Sequence, residues 1–166
     1  MLNPSLQKLE NKIVALSEAA VRIKSWQQEG QKVVFTNGCF DLLHQGHIHY
    51  LCEAAALGDK LVLGLNSDAS VKQLKGPSRP INNEQSRAEM LACFFFIDLV
   101  VLFEEETPEK LITTITPDVL VKGGDYAIKD IVGAEYVIKN GGKVLPLTFI
   151  EGVSSTDIIN KIKKAT

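Results

Sequence analysis

The chain alternates short apolar runs with segments of helical periodicity, and this alternation limits the fold more than any other feature. Five runs are strand-sized and mainly apolar, as is typical of strands buried on both faces; they cover residues 32–35, 61–65, 97–103, 118–121 and 144–147. Helical patterns lie between and around them, over residues 17–28, 46–55, 82–92 and 131–140, with two more after 107 and 154. This order predicts a doubly wound α/β fold, a five-stranded parallel sheet with helices on both faces.

Helix boundaries are marked by capping and turn residues. Gly30 stands where a left-handed residue commonly ends a helix. Thr107 precedes Pro108, which predicts a helix with a threonine cap and a proline in its first position. Ser154 lies three residues before Asp157, the spacing of a capping box. We expect a single domain, in which residues 1–30 form a helical extension packed on the remainder, residues 31–166.

Composition excludes several classes of function. Eighteen Lys and Arg oppose 20 Asp and Glu, so a net charge of −2 gives no support to a general nucleic-acid or membrane-surface binder. The three cysteines are Cys39, Cys52 and Cys93, with no CxxC pair, which makes a disulfide framework or zinc ribbon unexpected and favours the reducing cytoplasm. The N-terminus does not resemble a secretory signal, and no apolar run approaches the roughly 18 residues of a membrane span.

The segment after the first strand carries the chemistry. The twelve glycines include no pair at i, i+2, so GxGxxG cannot occur, and no GxxxxGK motif is present. Instead, all three histidines lie between positions 44 and 49. His44 and His47 share one face at a helix start, and Gly46 leaves room for an anion to approach the backbone. The pattern predicts a triphosphate cradle. A metal pair and a structural cap stay open as alternatives, although Asp41 is the only acid nearby.

Two motifs resemble those of the HxGH nucleotidyltransferases of the cytidylyltransferase-like superfamily. The first is His44-Gln45-Gly46-His47, preceded by Gly38 and by Phe40-Asp41-Leu42-Leu43. The second, residues 151–156, resembles the family's C-terminal Ser/Thr motif at the start of the last helix. The resemblance implies a Rossmann-like nucleotidyltransferase fold. Many relatives carry an arginine after the second motif; in residues 157–161 the only basic residue is Lys161.

Further motifs narrow the resemblance. Residues 36–41, 66–68, 75–80 and 122–126 are similar to those of D-glycero-β-D-manno-heptose 1-phosphate adenylyltransferases, and the similarity runs from about residue 12 to residue 163. The resemblance implies AMP transfer from ATP to the sugar 1-phosphate, which yields ADP-heptose and pyrophosphate for the lipopolysaccharide core. The resemblance also implies that Mg²⁺ enters with ATP, and we assign it no protein ligand. It further implies a stand-alone transferase whose sugar kinase is a separate protein.

Each candidate residue receives a role from the motif it belongs to. His44 and His47 are the expected catalytic residues. The nucleotide is expected at Asn37, Gly38, Cys39, Phe40, Gly46, Lys122, Gly123, Asp125, Gly152, Ser154, Ser155 and Thr156. The sugar phosphate is expected at Asp41, Lys75, Arg79 and Arg87. Plainer roles stay open: a solvated loop for the basic segment, which runs from Lys72 to Arg79, half of a buried ion pair for Arg87, and a turn residue for Gly123.

Two rival functions stay open. One is a cytidylyltransferase acting on a small polyol or alcohol phosphate, such as glycerol 3-phosphate. The other is a nucleotide-binding regulatory module without turnover, against which the intact pair His44 and His47 argues. We expect ATP and a sugar 1-phosphate as ligands, no nucleic acid or membrane partner, and a homo-oligomer such as a dimer.

Overall fold

The computed structural model describes residues 3–148, 152 and 154–165. Its strands are β1 (Val33–Gly38), β2 (Lys60–Asn66), β3 (Leu99–Phe103), β4 (Val119–Gly123) and β5 (Lys143–Leu147). All pair in parallel, in the order β3-β2-β1-β4-β5. The predicted doubly wound sheet is therefore confirmed. Strand order reverses between β1 and β4, and ligands of such sheets bind beyond the carboxyl ends of the strands at this point.

Eight helices are described around this sheet. They are α1 (Pro4–Glu10), α2 (Leu16–Gln28), α3 (Gln45–Ala55), α4 (Asp68–Lys75), α5 (Glu84–Ala92), α6 (Glu109–Ile115), α7 (Ala134–Lys139) and α8 (Ser155–Ala165). One core layer joins α2, α6 and α7 to the sheet face that carries Phe35 and Leu120. The other joins α3 and α5 to the face that carries Val34 and Val121. In the described residues no helix is long and apolar enough to cross a membrane.

The first 30 residues pack directly on the sheet. Ala19 and Ile23 of α2 are fully buried in the first core layer, and Ile13 forms a bridge with Val100 of β3. Gly30 follows α2 with φ of 80°, a left-handed conformation that costs glycine little, so the sequence marked this helix end correctly.

Three local predictions were wrong. Residues 68–75 form α4, capped by the side chain of Ser67, so the basic segment begins on a helix rather than in a loop. Pro108, not Thr107, is the cap residue of α6. The pattern over residues 131–140 contains a shorter α7, preceded by a 3₁₀ turn and by Gly133 at φ of 83°. A Cβ at Gly133 would lie 2.7 Å from the Ile112 side chain, so close packing on α6 favours a glycine here.

Candidate active site

A cleft of about 660 Å³ lies at the carboxyl ends of β1 and β4, where the sheet topology places a ligand site. Fourteen of the 18 predicted site residues line it: Asn37, Gly38, Cys39, Phe40, Asp41, His44, His47, Lys75, Arg79, Lys122, Gly123, Ser154, Ser155 and Thr156. Gly46, Arg87, Asp125 and Gly152 do not. The structure therefore gathers residues from both ends of the chain into one concave surface.

The two histidines form a close, tilted ring pair at the start of α3. His44 is the cap residue of the helix, and its ring centroid lies 3.8 Å from that of His47, with 30° between the planes. Phe40 packs against His47 at 5.3 Å. Among the described residues, the buried Nδ1 atoms of both rings have no hydrogen-bond partner. Buried nitrogens are rarely left unpaired in a finished protein core, so this pair is prepared for a ligand.

The same packing keeps the imidazoles neutral. Burial lowers the pKa of His44, and burial together with the charge of His44 lowers the pKa of His47 to about 4. A neutral imidazole carries one N–H, so each ring can donate one hydrogen bond to a phosphate oxygen at pH 7. Gly46 is buried in the first turn of α3, between the two histidines in the sequence.

The start of α8 reaches the same part of the cleft. Ser155 Oγ donates to the carbonyl of Leu42 at 2.8 Å and so ties α8 to the loop before α3. Ser154 Oγ accepts from the backbone N–H of Asp157 at 3.0 Å, which confirms the predicted cap. Thr156 is exposed, as is Gly152 with φ of 79°. Glu151 and Val153 of the Ser/Thr motif lie outside the described residues.

Asp41 is an anchor and not an open ligand. Its carboxylate is 1% exposed and accepts from Arg79 Nε at 2.5 Å and from the backbone N–H groups of Ile81 and Asn82 at 2.8 and 2.9 Å. Burial raises the pKa of Asp41, but these hydrogen bonds outweigh it and hold the pKa below its ordinary value. The predicted contact of Asp41 with substrate gives way to a role in holding Arg79 at the cleft. Lys75, at the end of α4, is exposed.

Arg87 lies beneath the cleft rather than in it. Its side chain is 0% exposed. It donates to the carbonyl oxygens of Cys39, Asn66 and Asn82 at 2.6 to 3.0 Å, and to the Asp68 carboxylate at 2.7 Å. The structure favours the buried ion pair over the predicted substrate contact, because the guanidinium is occupied by protein atoms.

The β4 side of the cleft carries a partly buried lysine, Lys122, instead of histidines. Lys122 and Asn37 line both the cleft and a smaller cavity of about 210 Å³. Burial lowers the pKa of Lys122; the nearby Cys39 opposes this shift and the Lys75 charge adds to it. Burial also raises the pKa of the Cys39 thiol, against the effect of nearby cations. Asp125 is exposed and does not line the cleft.

Sequence reasoning missed Tyr50, a buried residue that also lines the cleft. Its hydroxyl pairs with Thr36 of β1, and it accepts from the backbone of Gly123. Burial raises the pKa of Tyr50 to about 12, so the phenol stays protonated. The available signal was its spacing: Tyr50 follows His47 by three residues and shares its helix face.

A metal ion finds no preformed cage here. Among residues 3–148, 152 and 154–165, no three His, Cys, Asp or Glu side chains are grouped to hold one. Asp41, the buried carboxylate of the cleft, is already occupied by protein donors. A divalent ion in this cleft would therefore rely on oxygens of a substrate and of water.

Sequence comparison finds one family and several curated proteins that are similar to this chain. A sequence model of the family described as cytidylyltransferase-like matches residues 35–161. The bifunctional protein HldE of Rhodopseudomonas palustris (strain HaA2) is 50% identical over 158 residues, 95% of this chain and 32% of that protein. HldE of Marinomonas sp. is 56% identical over 140 residues, 84% of this chain and 30% of that protein. The chain thus spans about a third of the length of these curated relatives.

Two solved structures are similar to this chain in fold. A lipopolysaccharide core biosynthesis protein from Thermoplasma volcanium is 32% identical, with a TM-score of 0.58, over 73% of this chain and 98% of that chain. A pantoate-β-alanine ligase from Francisella tularensis shares the fold at 16% identity, with a TM-score of 0.57, over 92% of this chain and 77% of that chain.

Proposed function

Because the chain belongs to the cytidylyltransferase-like family, we propose that it is an adenylyltransferase that joins ATP to a sugar 1-phosphate and releases pyrophosphate. The proposed acceptor is D-glycero-β-D-manno-heptose 1-phosphate, and the product ADP-heptose serves lipopolysaccharide core synthesis. The high identity to HldE proteins and the similarity to a lipopolysaccharide core biosynthesis protein support this choice of sugar.

One observation carries the proposal: two neutral histidines in close contact at the start of α3, near the start of α8, have buried Nδ1 atoms without a partner among the described residues. A helix N-terminus offers free N–H groups and a positive dipole end, which favours phosphate. His44 and His47 would donate to oxygens of the α- and β-phosphates. Ser154, Ser155 and Thr156, with the start of α8, would hold the outer phosphates, with Lys161 the candidate for added charge.

The reaction needs no general base. An oxygen of the sugar phosphate is an anion at pH 7 and attacks the α-phosphorus in line, forming one P–O bond. The bond between the α-phosphorus and the bridging oxygen breaks, and its electron pair leaves with pyrophosphate. The protein must align two anions and spread the developing charge, which preorganised donors achieve at low cost in reorganisation.

The other assignments follow from the walls of the cleft. Lys75 and Arg79 suit the anion of the sugar phosphate, and the backbone of Lys122 and Gly123, with residues 37–40, suits the base and ribose. Mg²⁺ would arrive with the phosphates of ATP and reduce the repulsion between the two substrates. A reducing cytoplasm fits the free cysteines, and a homo-oligomer is proposed without a stated interface.

The test is pyrophosphate release with a panel of nucleotides and phosphate monoesters. A site that pairs with one base leaves polar groups unpaired against another, at about 1–3 kcal/mol each, so two mismatches give roughly 10²-fold discrimination. With heptose 1-phosphate as acceptor, we expect kcat/KM for ATP to exceed that for CTP by at least tens of times. Equal efficiency or a preference for CTP would favour the cytidylyltransferase alternative, and nucleotide binding without turnover would favour a regulatory module.

A further inference from the structure

Lys122 is the one partly buried cation without a partner in the part of the chain that the structure describes. Six lysines and arginines there are partly or fully buried: Lys12, Arg22, Lys60, Arg79, Arg87 and Lys122. The first five each donate a hydrogen bond to a carboxylate or a carbonyl oxygen. Lys122 has no hydrogen bond or ion pair among the described residues. A partly buried ammonium is costly when unpaired, so this side chain is prepared for an anion.

The side chain belongs to a defined face of the sheet. Phe35 of β1 pairs with Leu120 of β4, and both lie in the core layer of α2, α6 and α7. Asn37 and Lys122 each follow by two residues, so they point to that same face at the strand ends. The smaller cavity of about 210 Å³, which Lys122 and Asn37 share with the cleft, opens there.

The histidines lie on the other face. Tyr50 and Leu51 of α3 pack in the core layer of Val34 and Val121, so α3 and its N-terminal pair His44 and His47 flank the opposite side of the sheet. Ser155 ties the start of α8 to the loop beside that pair. The proposed donors to the departing pyrophosphate are therefore grouped on the α3 side of the strand ends.

In-line displacement requires the attacking oxygen and the leaving oxygen to lie on opposite sides of the α-phosphorus. With the leaving group on the α3 side, the attacking phosphate lies on the side of Lys122. We propose that the Lys122 ammonium binds the phosphate of the acceptor, a phosphate monoester, and holds its oxygen against the α-phosphorus. The inference rests on the proposed function. Lys122 keeps its protons throughout, and its charge offsets the repulsion between the two anions.

The neighbourhood of Lys122 supports this assignment. Lys75 is near enough for its charge to affect the titration of Lys122, so the two cations approach one site from different elements. Neither has a carboxylate partner among the described residues, in contrast to Arg79, which is held by Asp41. An acceptor phosphate between Lys122 and Lys75 would give each ammonium an anionic partner.

The experiment compares Lys122→Met with Lys122→Arg in the full chain, and uses Lys143→Met on neighbouring β5 as the matched control. Lys143 is exposed and does not line the cleft. Pyrophosphate release gives kcat and the two KM values, and calorimetry gives the Kd of ATP. For Lys122→Met we expect the KM of the sugar phosphate to rise roughly 10- to 100-fold, as for loss of a charged hydrogen bond, with the Kd of ATP within about twofold of wild type. Lys122→Arg should recover part of this loss.

The outcomes separate the two proposals. A lower kcat with both KM values unchanged would assign Lys122 to the α-phosphate and overturn the inference, as would a weakened Kd of ATP with an unchanged KM for the sugar phosphate. Lys122→Met equal to wild type would overturn it too, and in all these cases the proposed function stands. A wild-type protein that turns over no sugar 1-phosphate overturns the proposed function and this inference with it.

Discussion

Two groups of buried polar residues in and beneath the cleft differ in whether their hydrogen bonds are satisfied by the protein. His44 and His47 keep buried Nδ1 atoms without partners among the described residues and are held neutral by burial. Asp41 and Arg87 are also buried, but their hydrogen bonds are made. Asp41 accepts from Arg79 and from two backbone N–H groups. Arg87 donates to three backbone carbonyls and to Asp68. Burial alone therefore does not identify a functional residue; unsatisfied polar atoms do.

The largest expected effect is the loss of Arg87. Arg87→Met removes the donor to three carbonyls and to Asp68. Breaking a buried pair by removing one partner costs about 3–5 kcal/mol. We expect the free energy of unfolding in urea to fall by that amount. The control Lys110→Met breaks the exposed ion pair with Glu105 and should cost far less. A loss below about 1 kcal/mol for Arg87→Met would contradict the anchoring role.

Next is the loss of a histidine, which should have the opposite profile. His44→Ala or His47→Ala should slow pyrophosphate release on the order of 10²–10³-fold, because one preorganised donor to a transition-state oxygen contributes about 2.7–4 kcal/mol. The free energy of unfolding should change little, since the buried Nδ1 atoms make no hydrogen bond to any residue that the structure describes. His49→Ala is the control, because His49 is exposed on the same helix. A folded variant with near wild-type turnover would remove the catalytic role.

A third effect concerns pH. The folded pKa of His47 is about 4, below the ordinary 6.5, so the unfolded chain binds the proton more tightly. The stability contributed by neutral His47 is present above pH 6.5 and is lost as the pH falls toward 4. Between pH 7 and pH 5 the wild type should lose about 2 kcal/mol more unfolding free energy than His47→Gln. Parallel pH profiles in urea denaturation would show that the burial of His47 does not govern its titration.

The smallest effect concerns the basic side of the cleft. Lys75→Ala and Arg79→Ala should each raise the KM for the sugar phosphate by about 5- to 30-fold, equivalent to about 1–2 kcal/mol, and far more than the KM for ATP. Lys72→Ala is the control, because Lys72 is exposed on α4 and does not line the cleft. Equal changes in both KM values, or none, would make this segment a solvated surface.

The difference between the two groups was only partly readable from sequence. His44 and His47 could be found because their spacing, next to a strand and a helix start, is local along the chain. Arg87 could not be placed, since its partners Cys39, Asn66 and Asn82 include residues 48 and 21 positions away that only the folded sheet brings together. Asp41 was assigned to substrate for the same reason: its donors at residues 79 to 82 come from a distant turn.

Sequence alone determined the five parallel strands, most of the helices between them and the segment that carries the histidine pair, because apolar periodicity and capping are properties of neighbouring residues. Tertiary structure alone decided which charges are free and which are held, because that depends on atoms far apart in the chain. Lys122 directly follows a predicted strand and Arg87 lies within a predicted helix, and the sequence assigned a ligand to both basic residues. Packing placed Lys122 at the cleft without a partner among the described residues and enclosed Arg87 among carbonyl oxygens, since a buried cation must find its partners within hydrogen-bond distance.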